Sequence, residues 1–156
     1  MEISARNELI ARYRDGHRVV MDAMRDISPE ELDARAGPSE WSARQVVHHL
    51  ADSEMTSAIR LRRLIAEDDP QIAGYDEERF AERLHYDRPV EASLDALGAA
   101  RASTADILDR LSEIEWASSG THSEMGPYGV ETWLEIYATH AHEHAEQIHR
   151  ARGSDR

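Results

Sequence analysis

The sequence predicts an all-α protein: a four-helix bundle with long connections and short extra helices. Apolar residues recur at alternating three- and four-residue spacing over several long stretches. Those stretches are rich in Ala, Leu, Glu and Arg, which are good helix formers. Only 8 glycines and 5 prolines occur in 156 residues. The length suits one domain spanning residues 1–156, with no repeat, low-complexity tract or linker to divide it.

The first helix is expected from about Ala5 to Asp26, with Leu9, Tyr13, Val20, Met24 and Ile27 on one stripe. Ser28 then reads as an N-cap, with Pro29 at the first helical position and Glu30 and Glu31 in the first turn; this short helix ends before Gly37-Pro38. Ser42 caps a second long helix running to about Asp68, with Val47, Leu50, Leu61 and Ile65 on its buried side, and Asp69-Pro70 stops it. Residues 70–89 form a connection with one or two helical turns around Glu77–Leu84. A third long helix starts near Pro89 and aligns Leu94, Leu97, Thr104, Leu108 and Leu111. Ala117 to Gly129 holds three glycines and a proline and reads as a loop, strand signals being close to absent. The fourth long helix runs from about Glu131 to Arg152 and ends at Gly153. The long second and third connections argue against simple up-down-up-down order.

Charge and cysteine content exclude several functions. The net charge is −13, and all 18 basic residues are arginine. A surface of that sign repels phosphate backbones and anionic bilayers, so neither nucleic acid nor membrane is an expected partner. The absence of cysteine excludes a disulfide framework, a thiolate metal site and a cysteine nucleophile. The first residues, MEISARNELIARYRDG, show neither a signal-peptide apolar run nor a spanning segment, and a cytoplasmic location is expected.

Nine histidines is a high count, and four of them, His140, His142, His144 and His149, fall in the fourth long helix. At about 100° per residue, with His140 as zero, His144 falls near 40° and Tyr137 near 60°. Both border an apolar arc of Ile148, Ala141, Leu134 and Ala145, whereas His142 and His149 fall among Glu135, Glu143, Glu146 and Arg150. Two imidazoles four residues apart on a buried face are spaced to meet one metal ion. A buried histidine is also commonly a core residue bonded to a neighbour, although two adjacent ones each need a polar partner. On the second long helix, His49 shares the inward arc with Val46, Leu50, Ser53 and Leu61. His48 lies about 260° away on a milder apolar strip with Met55 and Ile59. His49 can therefore turn toward the interior, and three imidazoles on two helices would leave a coordination position open. His17 is expected in the core, His85 and His122 in connections, and His48, His142 and His149 at the surface or in a subunit contact.

Five segments carry a resemblance to a known family: WSARQVVHHLADSE, SAIRLR, GYDEERFAE, PVEASLDAL and YATHAHEHAEQI. In order and spacing, over about Ser28 to Ile148, the chain resembles the DinB-like proteins of the YfiT type. The resemblance implies a four-helix bundle, often a homodimer, with a metal toward one end. It implies that His49, directly before Leu50-Ala51-Asp52, joins His140 and His144 in holding a divalent metal, zinc or nickel. It further implies a metal-dependent enzyme acting on a small-molecule substrate, either as a hydrolase or as an S-transferase using a low-molecular-weight thiol. Members often place a basic residue or a further histidine inside the last motif. Here His142-Glu143 precedes His144 and Glu146-Gln147 follows it, which leaves the ligand spacing untouched and substrate choice open.

A dication on three neutral imidazoles keeps its full charge, enough to bring a zinc-bound water to a pKa of about 7 or to hold a thiol as thiolate. With no cysteine in the chain, a thiol must arrive as a cosubstrate. Asp52, about one turn beyond His49, and Gln147, three residues past His144, are candidates to orient a ligand imidazole. Glu54 projects about 140° from His49. A carboxylate in that apolar arc is either a proton acceptor near the metal or, more commonly, the partner of an arginine on a neighbouring helix. Trp133 and Tyr137 wall the pocket or belong to the core. Arg60, about 16 Å along the helix from His49, is too far for direct metal chemistry. It is expected to hold an anionic substrate group or the segment of Tyr75 and Asp76. The alternative function is a non-catalytic metal- or ligand-binding module, or a structural dimeric bundle joined along His48, Met55 and Ile59.

Overall fold

Reciprocal capping boxes open three of the helices. At Ser28, Ser42 and Ser112 the serine side chain accepts from the backbone N–H three residues on, and Glu31, Gln45 or Glu115 reaches back to the serine N–H. The computed structural model describes residues 1–153, so the last three residues of the expected domain lie outside the described residues. Four long helices carry the fold: α1 (Ile3–Ala23), α3 (Ala43–Ala66), α5 (Glu91–Leu108) and α7 (Val130–Ala151). Three short ones, α2 (Pro29–Asp33), α4 (Glu77–Arg83) and α6 (Glu113–Trp116), lie in the connections, and α6 was not expected from periodicity. The first helix ends three residues before the expected Asp26, whose φ of 53° is left-handed and cannot continue an α-helix.

Both α1 and α3 pack against α5 and α7. The two consecutive long helices therefore take opposite corners of the bundle, which is the departure from up-down-up-down order that the long connections suggested. This arrangement makes α3 and α7 neighbours, the two helices that carry the sorted histidines. The core falls into two apolar clusters, one around Tyr13, Leu61, Leu108, Trp133 and Leu134, the other around Val20, Val46, Val47, Leu50, Leu97 and Ile148. Each fully buried side chain of this size contributes about 1.5–3 kcal/mol.

The segment expected to be a strandless loop is a hairpin. Strands β2 (Ser119–His122) and β3 (Gly126–Gly129) pair antiparallel, and β1 (Gln71–Ile72) joins β2 in parallel. The turn needs Gly126 at φ 74°. Thr121 and Ser123 donate to the carbonyls of Pro70 and Ile72, at 3.0 and 2.9 Å. The β1–β2 pairing spans about fifty residues of chain, and no alternation of apolar and polar residues announces any of the three strands. Among the described residues, no helix is long and apolar enough to cross a membrane.

Candidate metal centre

His49 sits on the second turn of α3, and His140 and His144 face it from α7. The His49 ring lies 4.8 Å from that of His144 and 5.4 Å from that of His140, between centroids. One ligand atom from each of the three lies within 4.8 Å of the others. The Nε2 atoms of His140 and His144 stand 3.2 Å apart, near the roughly 3.4 Å that two ligands of a tetrahedral ion with 2.0–2.1 Å bonds keep. The donor set fits a divalent ion of the zinc type: three imidazole nitrogens, with no carboxylate in the cluster among the described residues.

Burial holds these imidazoles neutral. It pushes His49 down to about 3, with help from neighbouring His144, and His140 down to about 2, with help from His144 and His49. His144 is lowered for the same reason, against the pull of Gln147. The Nδ1–H of His144 donates to Gln147 Oε1 at 2.7 Å, leaving Nε2 with its lone pair toward His140. His49 Nδ1 is buried without a hydrogen-bond partner. Its ring packs instead against Trp41, 5.0 Å away between centroids and tilted by 59°, and His140 is flanked by Tyr137 at 5.8 Å.

The other residues singled out from the sequence divide. Asp52 makes no hydrogen bond to a histidine: its Oδ2 accepts from the Tyr86 hydroxyl at 2.7 Å, which ties the connection after α4 to α3. Glu54 is 1 % exposed and bonded to Arg101 and Tyr13, the arginine pairing rather than a place beside the histidines. Burial raises its carboxyl while Arg101 and Tyr13 pull it down. Trp133 is a core residue, donating to Ser57 O at 2.9 Å. Arg60 holds the segment before α4, donating to Ala73 O at 2.7 Å and to the Tyr137 hydroxyl at 3.1 Å, with Tyr75 under its guanidinium.

Three histidine assignments need correction. His48 is fully buried, not a surface or subunit residue, because residues 85–93 cover that side of α3. Its Nε2–H donates to Arg88 O at 3.0 Å, and Nδ1 accepts from the Ser93 hydroxyl at 2.8 Å. His17 is only half-buried, resting over Gly98. His142 is half-buried and donates to Arg12 O at 3.0 Å, fastening α7 to α1, whereas His149 is exposed as expected. Arg101 went unnoticed in the sequence although it had a signal: it lies on the buried stripe of α5, four residues past Leu97 and three before Thr104. Tyr75 was expected only as a partner of Arg60, and Trp41 and Tyr86 had no such signal, since both lie in irregular segments.

With this geometry in view, comparison with known proteins is decisive. The sequence profile of the DinB superfamily matches residues 12–148. The chain belongs to the DinB superfamily. A relative from Oceanobacillus iheyensis named "putative metal-dependent hydrolase" is 35% identical over 142 residues, covering 91% of this chain and 83% of that one. A relative from Bacillus mycoides with the same description is 32% identical over 126 residues, covering 81% and 73%. The solved structure of YfiT from Bacillus subtilis, described as "a probable metal-dependent hydrolase with an unusual four-helix bundle topology", superposes with a TM-score of 0.89 at 26% identity, over 95% of this chain and 86% of that one. The opposite-corner placement of α1 and α3 is thus the topology of a DinB-superfamily bundle of the YfiT kind.

Proposed function

We propose that this DinB-superfamily chain is a metal-dependent hydrolase of a small-molecule substrate, with zinc or nickel held by His49, His140 and His144. The observation that carries this reading is the convergence of three neutral, largely buried imidazoles from adjacent helices within 4.8 Å. The descriptions of its relatives as metal-dependent hydrolases support hydrolysis over other reactions of such a centre. A divalent ion on three uncharged ligands supplies Lewis acidity, activating a nucleophile and polarising the bond it attacks.

The chain's own residues prepare that centre. Gln147 fixes the His144 tautomer, and Trp41 and Tyr137 shield two of the imidazoles from bulk water. Asp52 anchors Tyr86 at the rim. Glu54 has no part in this chemistry, its carboxylate being engaged by Arg101 and Tyr13. The reading includes a homodimer across the exposed Met55 and Ile59 of α3 and a cytoplasmic location.

Metal analysis of tag-free protein tests the reading, followed by turnover of p-nitrophenyl acetate with and without a low-molecular-weight thiol. One zinc or nickel per chain is expected, lost in His49→Ala and His140→Ala, together with ester hydrolysis that needs no thiol. Turnover only when a thiol is supplied would reassign the reaction to S-transfer. Metal-free protein with no turnover would leave a structural bundle.

A further inference from the structure

The GYDEERFAE segment places Tyr75 near Ser53 and Tyr137, on the two helices that carry the histidines, and nothing above uses its hydroxyl. The Tyr75 Oη is buried and makes no hydrogen bond, which distinguishes it from its neighbours. The Tyr13 hydroxyl is engaged by Glu54, that of Tyr86 by Asp52, and that of Tyr137 by Arg60. A buried hydroxyl without a partner is destabilising, so it calls for an explanation. The ring is held from both sides, by Phe80 at 4.6 Å between centroids and by the Arg60 guanidinium at 5.7 Å. The Ser53 hydroxyl lies near enough to pull the phenol's pKa down against burial, although not in hydrogen-bond geometry, and Tyr137 lies nearby. Ser53 stands one turn after His49 on α3, and Tyr137 one turn before His140 on α7. Tyr86 bears on it as well. The hydroxyl is therefore held near Ser53 and Tyr137, one helical turn from His49 and His140, and makes no hydrogen bond within the chain. Burial raises the phenol to about 12, so it remains a donor throughout the physiological range.

We propose that Tyr75 is a substrate-binding residue of the three-histidine centre, donating a hydrogen bond to an acceptor oxygen of carbonyl or carboxylate type on the bound small molecule. The inference rests on the metal reading above. It explains why a buried donor is left without a partner within the chain: the partner arrives with the guest.

The test compares wild type with Tyr75→Phe, using cobalt(II) as a spectroscopic metal and acetohydroxamate as a guest bearing acceptor oxygens. The cobalt absorption bands report guest affinity, and thermal unfolding of the metal-free proteins reports stability. Tyr75→Phe is expected to weaken acetohydroxamate about three- to tenfold, one neutral hydrogen bond. Cobalt affinity should not change, and the metal-free Tm should hold or rise, because an unpartnered hydroxyl has been removed. Equal affinity in the two proteins overturns the proposal, as does no guest binding to the cobalt-loaded wild type. A metal-free Tm several degrees lower in the variant also overturns it, by making the hydroxyl structural. Failure of wild type to bind cobalt at all defeats the metal reading and this inference with it, so the two failures are distinguishable.

Discussion

Gln147 Oε1 accepts the Nδ1 proton of His144 at 2.7 Å, and this one bond decides which nitrogen of His144 faces His140. Removing it frees the ring to rotate and lets the proton move to the wrong nitrogen. Gln147→Ala is expected to weaken zinc binding about 10- to 100-fold, as lost partners of ligand imidazoles commonly do, while Gln147→Glu retains most of it. Competition against a chromophoric chelator measures this. Unchanged affinity in Gln147→Ala would show that His144 needs no such support.

Metal binding and folding are linked when the ion binds only the folded chain. At a free zinc concentration one hundred times Kd, the folded state gains about 2.7 kcal/mol, which for a chain of this size raises Tm by about 5–10 °C. Differential scanning calorimetry with and without a chelator reads the shift. It should vanish in His49→Ala, and its persistence there would mean that the ion sits elsewhere.

In the metal-free protein the same imidazoles make stability depend on pH. The folded values of His49 and His140 lie below the unfolded value of 6.5, at about 3 and about 2. As pH falls below 6.5 the unfolded chain takes up protons that the folded chain refuses, so stability is present above that pH and lost through the window down to about 3. Between pH 7 and 5.5 these two groups together should remove about 2.5 kcal/mol. Urea midpoints at the two pH values, at constant ionic strength, check it, and a flat profile would contradict the burial argued for these rings.

Glu54 and Arg101, 1 % and 2 % exposed, form an ion pair inside the bundle. Arg101 also donates to Tyr13 O and Tyr137 O, at 2.6 and 2.8 Å, so one guanidinium fastens α1, α3 and α7 to α5. Glu54→Leu leaves that charge unpaired and should destabilise by about 3–5 kcal/mol, whereas Glu54→Leu with Arg101→Met should recover much of the loss. Equilibrium urea unfolding of the two single variants and the double variant completes the cycle. A double variant no better than the singles would show that the arginine's carbonyl bonds matter more than its charge.

Gly16 lies where that guanidinium crosses α1: a Cβ there would stand 2.6 Å from Arg101. Alanine in a helix is ordinarily favoured over glycine by about 1 kcal/mol. Gly16→Ala is expected to lower Tm in spite of that preference, and a rise would mean that Arg101 can move aside without loss.

The legible features were those that neighbours in the chain control. Ser28 and Ser42 cap their helices through residues three positions away, and Leu50, Leu61, Leu97 and Leu108 recur with the helical period, so a local reading reached them. Sorting by face also separated His140 and His144 from His149. It failed for His48, because a helical wheel shows direction but not what lies in that direction, and residues 85–93 cover that side. The β2–β3 hairpin escaped for a related reason: its tie to Gln71–Ile72 depends on where the connection is laid down, not on any alternation within Ser119–Gly129.

Composition and periodicity were thus sufficient for a helical bundle without cysteine chemistry, and for a buried histidine pair on its last long helix. Placing His49 opposite that pair, pairing Glu54 with Arg101 rather than leaving it beside the histidines, and setting Asp52 against Tyr86 all depended on α1 and α3 taking opposite corners. That choice arises from packing between segments far apart in the chain, where side chains meet only after the backbone has folded, and no local pattern encodes the meeting.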